Sequence, residues 1–324
     1  MFKRGRRVRS SESIRELFRD VDINLKELVY PLFIKEGNGI KELITSMPNQ
    51  YRFSIDTLGA ELEELEKLGI KNLLLFGIPK TKDLAGTSAF SEDGIVQQAV
   101  RFIKKNFPSF LVVTDVCMCA YTTHGHCGII DGEEVLNDES IDVIAKIALS
   151  HAQAGADIVA PSDMMDGRIL KMRQVLDQNG FVNLPIMSYA VKYASSYYGP
   201  FRDIADSAPK GDRKTYQLDF RNSSNYLSEA VSDIEEGADI IMVKPGLAYL
   251  DVVRALKDRI DAPLAIYNVS GEYSMVKAAA QNGWIDEKAI VMENMMAMKR
   301  AGASIIITYH AKDIAMWQKG DTNE

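Results

Sequence analysis

The sequence predicts an α/β fold, a (β/α)8 TIM barrel preceded by an extended N-terminal arm. Three observations support this prediction. Eight apolar stretches of strand length alternate with eight amphipathic stretches of helix length. Most of the apolar stretches are rich in Val, Ile and Leu without alternating polar residues, as expected of parallel strands buried on both faces. A short pattern that joins a helix end to a strand recurs three times.

The N-terminal arm is predicted over residues 1–25, where charged residues of both signs occur without a strong apolar period. Five of its first nine residues are basic, and no apolar segment follows them, so a secretory signal is not expected. One interpretation of the arginines is nucleic-acid binding. Contact with a neighbouring subunit is favoured instead, because the chain has a formal net charge of −7.

The barrel domain is predicted over residues 26–324. Its strands are expected at 28–34, 72–78, 110–118, 157–162, 184–192, 239–245, 264–269 and 304–310. Its helices are expected at 58–68, 94–106, 140–154, 167–178, 224–236, 249–259, 273–282 and 286–300. An open doubly wound sheet is disfavoured, because no glycine-rich phosphate loop follows the first strand. No linker rich in Pro, Gly or Ser divides the domain.

The recurring pattern lies at 154–161, 236–243 and 301–308. In each copy a helix end is followed by Gly-Ala and then by a buried strand. Glycine is the residue that most readily adopts the left-handed conformation with which many helices end. The pattern therefore predicts three helix-to-strand junctions of the same kind.

Composition excludes several classes of protein. Hydrophobic residues make up 46% of the chain and charged residues 26%, as in a soluble globular protein. The apolar runs are too short to span a membrane, and the negative net charge argues against a nucleic-acid-binding body. The three cysteines all lie between Cys117 and Cys127, which makes a poor disulfide framework and is in keeping with a reducing cytoplasm.

One segment, residues 195–222, interrupts the alternation of strands and helices. It is mostly polar and much longer than an ordinary connection between a strand and a helix. It follows the fifth strand, on the side of a barrel where active sites form. We therefore expect it to be a lid over the site.

The carboxyl ends of the predicted strands carry many polar side chains, and in a barrel these ends converge on one mouth. The residues in question are Asp115 and Cys117, Ser162 and Asp163, Lys192, Lys244, Asn268 and Ser270, and Tyr309 and His310. A packed scaffold does not require so many polar groups at one rim. The sequence therefore predicts a functional site there.

Two lysines stand out at this mouth. Lys244 ends a strand of buried residues, where an ammonium group must lose its proton or find a partner. A neutral lysine amine attacks carbonyl carbon and forms a Schiff base. Lys192 ends the adjacent strand, about 4.8 Å away across the sheet, so each ammonium disfavours the charge of the other. The alternatives are a lysine that extends into solvent and a pair with Asp115 or Asp163.

The cysteines form the pattern Cys117-x-Cys119, seven residues, then Cys127. Structural zinc sites usually separate the first two cysteines by two to four residues and supply four ligands, whereas this spacing is tighter and offers three thiolates. The cluster of thiolates nevertheless predicts a zinc site, and three ordinary buried thiols are the alternative. His124 or His126 would complete a closed structural site, whereas three ligands would leave a position open, as in catalytic zinc. The spacing leaves both alternatives open, and the position of the loop at the barrel mouth favours catalysis.

Anion contacts are predicted in and around the lid. Its basic residues are Arg202, Lys210, Arg213 and Lys214. Guanidinium groups recognise carboxylate or phosphate, and Ser270 and Tyr309 are expected to hold a second anion through their hydroxyls. A solvated lid surface explains the lysines equally well, whereas the position of Arg202 beside Gly199-Pro-Phe favours a functional role.

These motifs resemble those of the porphobilinogen synthase (5-aminolevulinate dehydratase) family over nearly the whole chain. The segments that carry the resemblance are 114–128 (TDVCMCAYTTHGHCG), 160–168 (APSDMMDGR), 188–195 (SYAVKYAS), 199–203 (GPFRD), 211–217 (GDRKTYQ), 242–245 (MVKP), 267–273 (YNVSGEY) and 308–310 (TYH). The resemblance implies a hydro-lyase of tetrapyrrole (porphyrin and heme) biosynthesis. Its reaction would condense two molecules of 5-aminolevulinate to porphobilinogen with loss of two waters.

The resemblance also assigns roles to individual residues. Lys244 would form a Schiff base with the substrate that ends on the propionate side of the product. Lys192 would form one with the substrate that ends on the acetate side. The carboxylate of the first substrate would contact Ser270 and Tyr309. The carboxylate of the second substrate would contact Arg202, Arg213 and Gln217. Ser162 is expected among the substrate contacts, and Asp115 is expected to move protons near the metal.

Cofactors and assembly follow from the same resemblance. Cys117, Cys119 and Cys127 match the cysteines of the zinc-dependent branch, in which zinc acts as a Lewis acid on the second substrate. Glu229 matches a ligand of allosteric magnesium at a subunit interface in some members. A homo-octamer, with N-terminal arms gripping neighbouring subunits, is implied.

The sequence is also compatible with two rival interpretations. An aldolase-like lyase with one Schiff base and a structural zinc would use Lys244, but it gives Lys192 and the cysteine loop no joint purpose. A zinc-stabilised scaffold that binds a polyanion through its basic arm would form no lysine adduct, and the negative net charge argues against it.

Overall fold

The computed structural model of the chain describes residues 2–205, 207 and 211–321. Eight parallel strands form its centre: β1 (Leu28–Lys35), β2 (Asn72–Ile78), β3 (Leu111–Val116), β4 (Ile158–Pro161), β5 (Met187–Lys192), β6 (Ile240–Lys244), β7 (Leu264–Asn268) and β8 (Ile305–Thr308). Their order in the sheet is β4-β3-β2-β1-β8-β7-β6-β5. A parallel bridge between Val159 and Ile186 joins β4 to β5, and it closes the predicted barrel.

Eleven α-helices accompany these strands in the described part of the chain. They are α1 (Glu12–Leu17), α2 (Ile55–Leu68), α3 (Ile95–Asn106), α4 (Asn137–Ala154), α5 (Arg168–Gln178), α6 (Gly199–Ala205), α7 (Asn225–Glu236), α8 (Leu250–Lys257), α9 (Ser270–Gln281), α10 (Glu287–Ala301) and α11 (Ala311–Asp321). The eight predicted helices correspond to α2–α5 and α7–α10.

The sequence prediction missed two helices of the barrel region. The two last predicted helices, α9 and α10, both lie between β7 and β8, and α11 follows β8. Within the predicted lid, residues 199–205 form α6, which begins with Gly199-Pro200. Proline is favoured in the first turn of a helix, because its missing N–H group needs no partner there. The segment predicted to be a lid is therefore partly helical.

Several strands end earlier than predicted. β3 ends at Val116, β4 at Pro161 and β8 at Thr308, so Cys117, Ser162 and Tyr309 begin the turns that follow. Ser270 is the first residue of α9. These residues still lie at the carboxyl ends of the strands, and a turn lets a side chain reach toward the barrel axis from the rim.

The recurring sequence pattern marks three equivalent helix ends, as predicted. α4, α7 and α10 are followed directly by Gly155, Gly237 and Gly302, whose φ angles are 101°, 110° and 125°. At each of these glycines the backbone turns and a buried strand follows. A residue with a Cβ atom would be strained at these φ angles.

The core has two layers. Inside the barrel, large side chains from alternate positions pack together, among them Phe33, Phe76, Tyr189, Tyr267 and Tyr309. The opposite faces of the strands pack against the surrounding helices in a larger apolar cluster. Aromatic rings therefore line the bottom of the barrel mouth.

The N-terminal region carries a 3-10 helix at Gly5–Arg9 and then α1, and neither has a buried residue. Its role as a subunit-contacting arm stays a prediction. Two short antiparallel pairs were not predicted, Lys41–Leu43 with Tyr51–Phe53 and Ile129–Asp131 with Glu134–Leu136. Within the described ranges, no helix has both the length and the apolar character needed to cross a membrane.

Candidate active site

The two predicted lysines lie side by side at the barrel mouth. Lys244 and Lys192 are the last residues of β6 and β5, and they are register partners in the parallel pairing of these strands. Lys244 is 6% exposed and Lys192 is 5% exposed. Among the described residues, neither forms a salt bridge, so the predicted alternative of a pair with Asp115 or Asp163 is not realised.

Lys244 lies in an aromatic enclosure. Its Nζ atom lies 4.2 Å from the ring centroid of Tyr267, and the rings of Tyr189, Phe201 and Tyr198 are between 5.1 and 5.4 Å away. Burial, reinforced by the neighbouring Lys192 charge, lowers the pKa of Lys244 to about 7. A large fraction of this amine is therefore neutral near pH 7, which is the form that attacks a carbonyl carbon.

Lys192 and Asp115 complete the polar centre of the mouth. The Nζ atom of Lys192 donates a hydrogen bond to the backbone carbonyl of Ser162, which follows β4. Burial raises the pKa of Asp115 to about 6, although the positive charges of Lys192 and Lys244 oppose the shift. In the described structure the Oδ1 atom of Asp115 is buried without a hydrogen-bond partner. A carboxyl group of this kind can both accept and donate a proton near neutral pH.

The three cysteines form a compact cluster beside the lysines. Cys117, Cys119 and Cys127 are buried free thiols, and their Sγ atoms all lie within 4.8 Å of one another. One zinc ion bonded to sulfur at about 2.3 Å could bridge thiols at such separations. Hydrogen bonds from Cys117 and Cys127, together with the charge of Arg213, lower the pKa of Cys119 well below its usual range. The donor set therefore fits zinc.

The two histidines of the cysteine loop make other contacts. The Nε2 atom of His124 lies 3.2 Å from the carbonyl of Leu84, and its Nδ1 atom accepts the backbone N–H of His126. The Nδ1 atom of His126 lies 3.2 Å from the hydroxyl of Tyr216. Both ring nitrogens of His124 are thus engaged, and the compact group of ligand atoms at this loop consists of the three thiols.

Unpaired polar atoms point to an anion site in the lid. Among the described residues, Nε of Arg202, Nε of Arg213 and both side-chain amide atoms of Gln217 are buried without hydrogen-bond partners. Arg213 also donates to the carbonyls of Gly125 and Ser207, at 2.8 and 2.7 Å. Buried donors without partners are costly, so an acceptor such as a carboxylate would be stabilising here.

Ser270 and Tyr309, the residues predicted to hold a second anion, contact groups that surround Lys244. The Oγ atom of Ser270 accepts the backbone N–H of Phe201 at 3.1 Å, which ties α9 to α6. The Tyr309 hydroxyl lies 3.1 Å from the Tyr267 hydroxyl, next to the ring that covers Lys244. Phe201 and Tyr267 both contribute rings to the enclosure of Lys244, so these hydroxyls lie near the Lys244 side of the site.

The site is closed as it stands. A cavity of about 20 Å³ is lined by residues of the mouth and of the lid: Phe76, Asp115, Cys119, Ser162, Lys192, Tyr198, Phe201, Arg202, Arg213 and Lys244. That volume accommodates about one water molecule. A substrate larger than water therefore requires side chains that line this cavity to move.

A second, larger cavity of about 610 Å³ is lined in part by residues 214–219 of the predicted lid. Acidic residues on its wall are Glu133, Glu134, Asp166, Asp219 and Glu229. Burial, with the neighbouring Asp233 charge, raises the pKa of Glu229. These carboxylates supply the oxygen atoms that magnesium prefers as ligands. Among the described residues, however, none of them belongs to a group of three ligand atoms within 4.8 Å of one another.

Some residues predicted at the mouth face elsewhere. Asp163 lies beside Arg168, at 3.7 Å, and His310 lies 3.4 Å from Asp313. Lys214 is exposed and pairs with Asp212. Lys210 lies outside the described residues. Asp163 and His310 thus lie beside residues of the helices that follow their strands, Arg168 of α5 and Asp313 of α11.

The aromatic enclosure was missed by the sequence reasoning. Tyr189, Tyr198 and Phe201 surround Lys244, yet nothing in an isolated aromatic residue distinguishes an enclosure from an ordinary core. The signal that could have identified these aromatic residues in the sequence was their position. Tyr198 and Phe201 lie in the predicted lid, and Tyr189 lies three residues before Lys192.

Comparison with known proteins places this arrangement in a family. The family described as "Delta-aminolevulinic acid dehydratase" matches residues 2–317. Proteins of that name from Bacillus subtilis and Halalkalibacterium halodurans are 55% and 53% identical over 317 residues, which is 98% of this chain and 98% and 97% of the two relatives. The Toxoplasma gondii delta-aminolevulinic acid dehydratase (porphobilinogen synthase), solved with its product porphobilinogen, superposes with a TM-score of 0.95 at 41% identity, covering 98% of this chain and 92% of that one.

Proposed function

Because the chain belongs to the delta-aminolevulinic acid dehydratase family and is a lyase, we propose that it uses Lys244 and Lys192 as Schiff-base lysines. Its reaction is the condensation of two 5-aminolevulinate molecules to porphobilinogen with loss of two waters, a step of porphyrin biosynthesis. The observation that carries the assignment of the lysines is the buried pair itself, with the pKa of Lys244 lowered to about 7.

The first step is attack by neutral Lys244 on the ketone carbon of one substrate. A carbon–nitrogen bond forms, the ketone oxygen leaves as water, and a protonated imine remains. The enclosure of aromatic rings around Lys244 excludes water that would reverse the step. Lys192, held by the carbonyl of Ser162, captures the second substrate in the same way.

Asp115 serves as the proton carrier between the two substrates. Its pKa of about 6 lets it exchange protons near neutral pH, and its unpaired Oδ1 atom is available to a reacting group. An imine makes the adjacent carbon–hydrogen bond acidic. Removal of that proton generates the nucleophile that joins the two substrates.

The carboxylates of the two substrates are held at separate places. Ser270 and Tyr309 hold the substrate bound to Lys244. Arg202, Arg213 and Gln217 hold the substrate bound to Lys192, and their unpaired donors support this assignment. Two separate anion sites orient the substrates differently, as an unsymmetrical product requires.

Cys117, Cys119 and Cys127 would hold zinc, which supplies Lewis-acid chemistry to the second substrate when bound. Three ligands leave one position open, and the engagement of both His124 nitrogens supports an open site over a closed one. Arg213 donates a hydrogen bond to the carbonyl of Gly125 in the cysteine loop, so it links this loop to the anion site.

Regulation and assembly are part of the proposal. Glu229 would bind an allosteric magnesium at the acidic cavity. The arm presents exposed apolar residues, Phe2, Leu17 and Phe18, which would become buried in a homo-octamer. The three free thiols support residence in the reducing cytoplasm.

The proposal is tested by incubating the zinc-loaded protein with 5-aminolevulinate as the single organic substrate and assaying for a pyrrole. Pyrrole formation by the wild type and its loss in the Asp115→Asn variant support the mechanism. A folded wild type that forms no pyrrole contradicts it.

A further inference from the structure

We propose that Glu272 is a positioning residue that fixes the backbone segments carrying Lys244, Ser270 and Tyr309. The inference rests on the function proposed above, because it concerns the geometry of the Lys244 half of that site. Glu272 itself is 4% exposed and lies in the first turn of α9.

The carboxylate of Glu272 joins β6 to β7. Its Oε1 atom accepts the backbone N–H of Leu247 at 2.6 Å, three residues after Lys244. Its Oε2 atom accepts the backbone N–H of Val269 at 2.7 Å and the side-chain N–H of Asn268 at 3.2 Å. One buried side chain therefore holds the segment after the nucleophile against the end of β7 and the start of α9.

The same network continues to β8. The Thr308 hydroxyl donates to Oδ1 of Asn268 at 3.0 Å and accepts the backbone N–H of His310 at 3.2 Å. Tyr309 lies between these two residues in the chain. The position of its hydroxyl is thereby linked, through Asn268, to Glu272.

The backbone after Lys244 leaves little room for movement. A Cβ atom added at Gly246 would lie 2.9 Å from the backbone oxygen of Tyr267 and 3.4 Å from Oε2 of Glu272. The chain therefore passes directly against the end of β7 at this point. Loss of the Glu272 contacts would free this segment and with it the end of β6.

Lys192 lies outside this network. Its Nζ atom is held by the carbonyl of Ser162, and its strand, β5, makes no contact with Glu272 among the described hydrogen bonds. The network thus predicts a selective effect. Disturbing Glu272 should impair Schiff-base formation at Lys244 more than at Lys192, whereas a general loss of folded protein would impair both equally.

The test uses Glu272→Gln, which keeps the shape but replaces one acceptor oxygen with an N–H₂ group that faces backbone donors. Zinc-loaded wild type and variant are reduced with borohydride in the presence of 5-aminolevulinate, and the adducts at both lysines are quantified by peptide mass mapping. We expect the ratio of Lys244 to Lys192 adduct to fall, and kcat/KM to fall by roughly tenfold to a hundredfold. The control is Glu61→Gln, which removes a carboxylate that is also 4% exposed and that pairs with Lys312 away from the site.

An unchanged adduct ratio in folded Glu272→Gln overturns the role of Glu272. If this variant does not fold, Glu272→Asp replaces it, since it keeps the charge but is one methylene shorter. A selective loss at Lys244 in that variant supports the inference, and a wild-type ratio overturns it. Absence of a Lys244 adduct in the wild type is a different result, because it contradicts the Schiff-base proposal on which the inference rests.

Discussion

Tyr189 and Lys192 both face the interior of the barrel, although three positions separate them on one strand. Side chains of a regular strand alternate, so an odd separation would place them on opposite faces. A β-bulge removes the conflict. Ile241 pairs with Ser188 and Val243 pairs with Val191, so two residues of β5 face one of β6. The bulge directs Lys192 toward the ring of Tyr189, 5.6 Å from its centroid, and beside Lys244.

The proximity of the two lysines predicts a pH effect. The charge of Lys192 lowers the pKa of Lys244, so Lys192→Met should raise that pKa above its present value of about 7. A larger fraction of Lys244 is then protonated at neutral pH, and its reactivity should appear only at higher pH. The pH midpoint for modification of Lys244 by an amine-reactive reagent measures this shift. Lys214→Met, which removes an exposed lid lysine, should leave the midpoint unchanged; an equal shift in both variants would contradict the account.

Zinc removal should abolish activity. Incubation with a strong chelator is expected to lower turnover by about a hundredfold or more, since Lewis-acid stabilisation is worth several kcal/mol. Added zinc should restore turnover in the wild type but not in Cys127→Ser, because one of three ligands is then lost. Zinc content and activity are measured on the same samples. Full activity of the metal-free protein would show that zinc takes no part in the reaction.

Arg202 should affect substrate binding more than folding. Arg202→Met removes a guanidinium whose Nε atom has no partner in the described structure, so little internal bonding is lost. We expect KM to rise about tenfold to a hundredfold, in line with the loss of one charge-assisted contact. Arg221→Met is the matched control, because Arg221 is an exposed arginine of the same lid segment. Similar KM values in the two variants would show that Arg202 does not hold the substrate.

His151 should make the fold sensitive to acid. Burial lowers its pKa to about 3, and neither ring nitrogen has a hydrogen-bond partner among the described residues. The unfolded chain, in which a histidine titrates near its ordinary pKa of about 6.5, binds this proton first as the pH falls. The contribution of His151 to stability is therefore present above that pKa and decreases below it. We expect the free energy of unfolding of His151→Leu to fall less than that of the wild type between pH 7 and pH 5; equal losses in denaturant titrations would contradict this.

The sequence predicted much of the fold because its signals are local. Runs of Val, Ile and Leu located the eight strands, and the glycines at 155, 237 and 302 located helix ends that require positive φ angles. Strand ends were less well predicted, since Cys117 and Ser162 lie in turns whose backbone course depends on neighbouring strands. The helix α11 was missed because no strand follows it to continue the alternation.

The candidate site could be predicted as a set of residues, whereas its geometry could not. The bulge in β5 lies within Tyr189-Ala-Val-Lys192, which contains no Gly or Pro to mark it. Without the bulge, strand alternation would turn Lys192 outward from the face of Tyr189. The burial that lowers the pKa of Lys244 and the contacts of Glu272 likewise depend on chain segments that are distant in sequence.

The central claim is that Lys244 is a nucleophile that captures 5-aminolevulinate. It is tested most directly by borohydride reduction of the zinc-loaded protein with 5-aminolevulinate, followed by peptide mass mapping. The account predicts a stable substrate adduct on Lys244, and it predicts that Lys244→Ala has no turnover. An unmodified Lys244 in folded, zinc-loaded protein, or near-normal activity of Lys244→Ala, would contradict it.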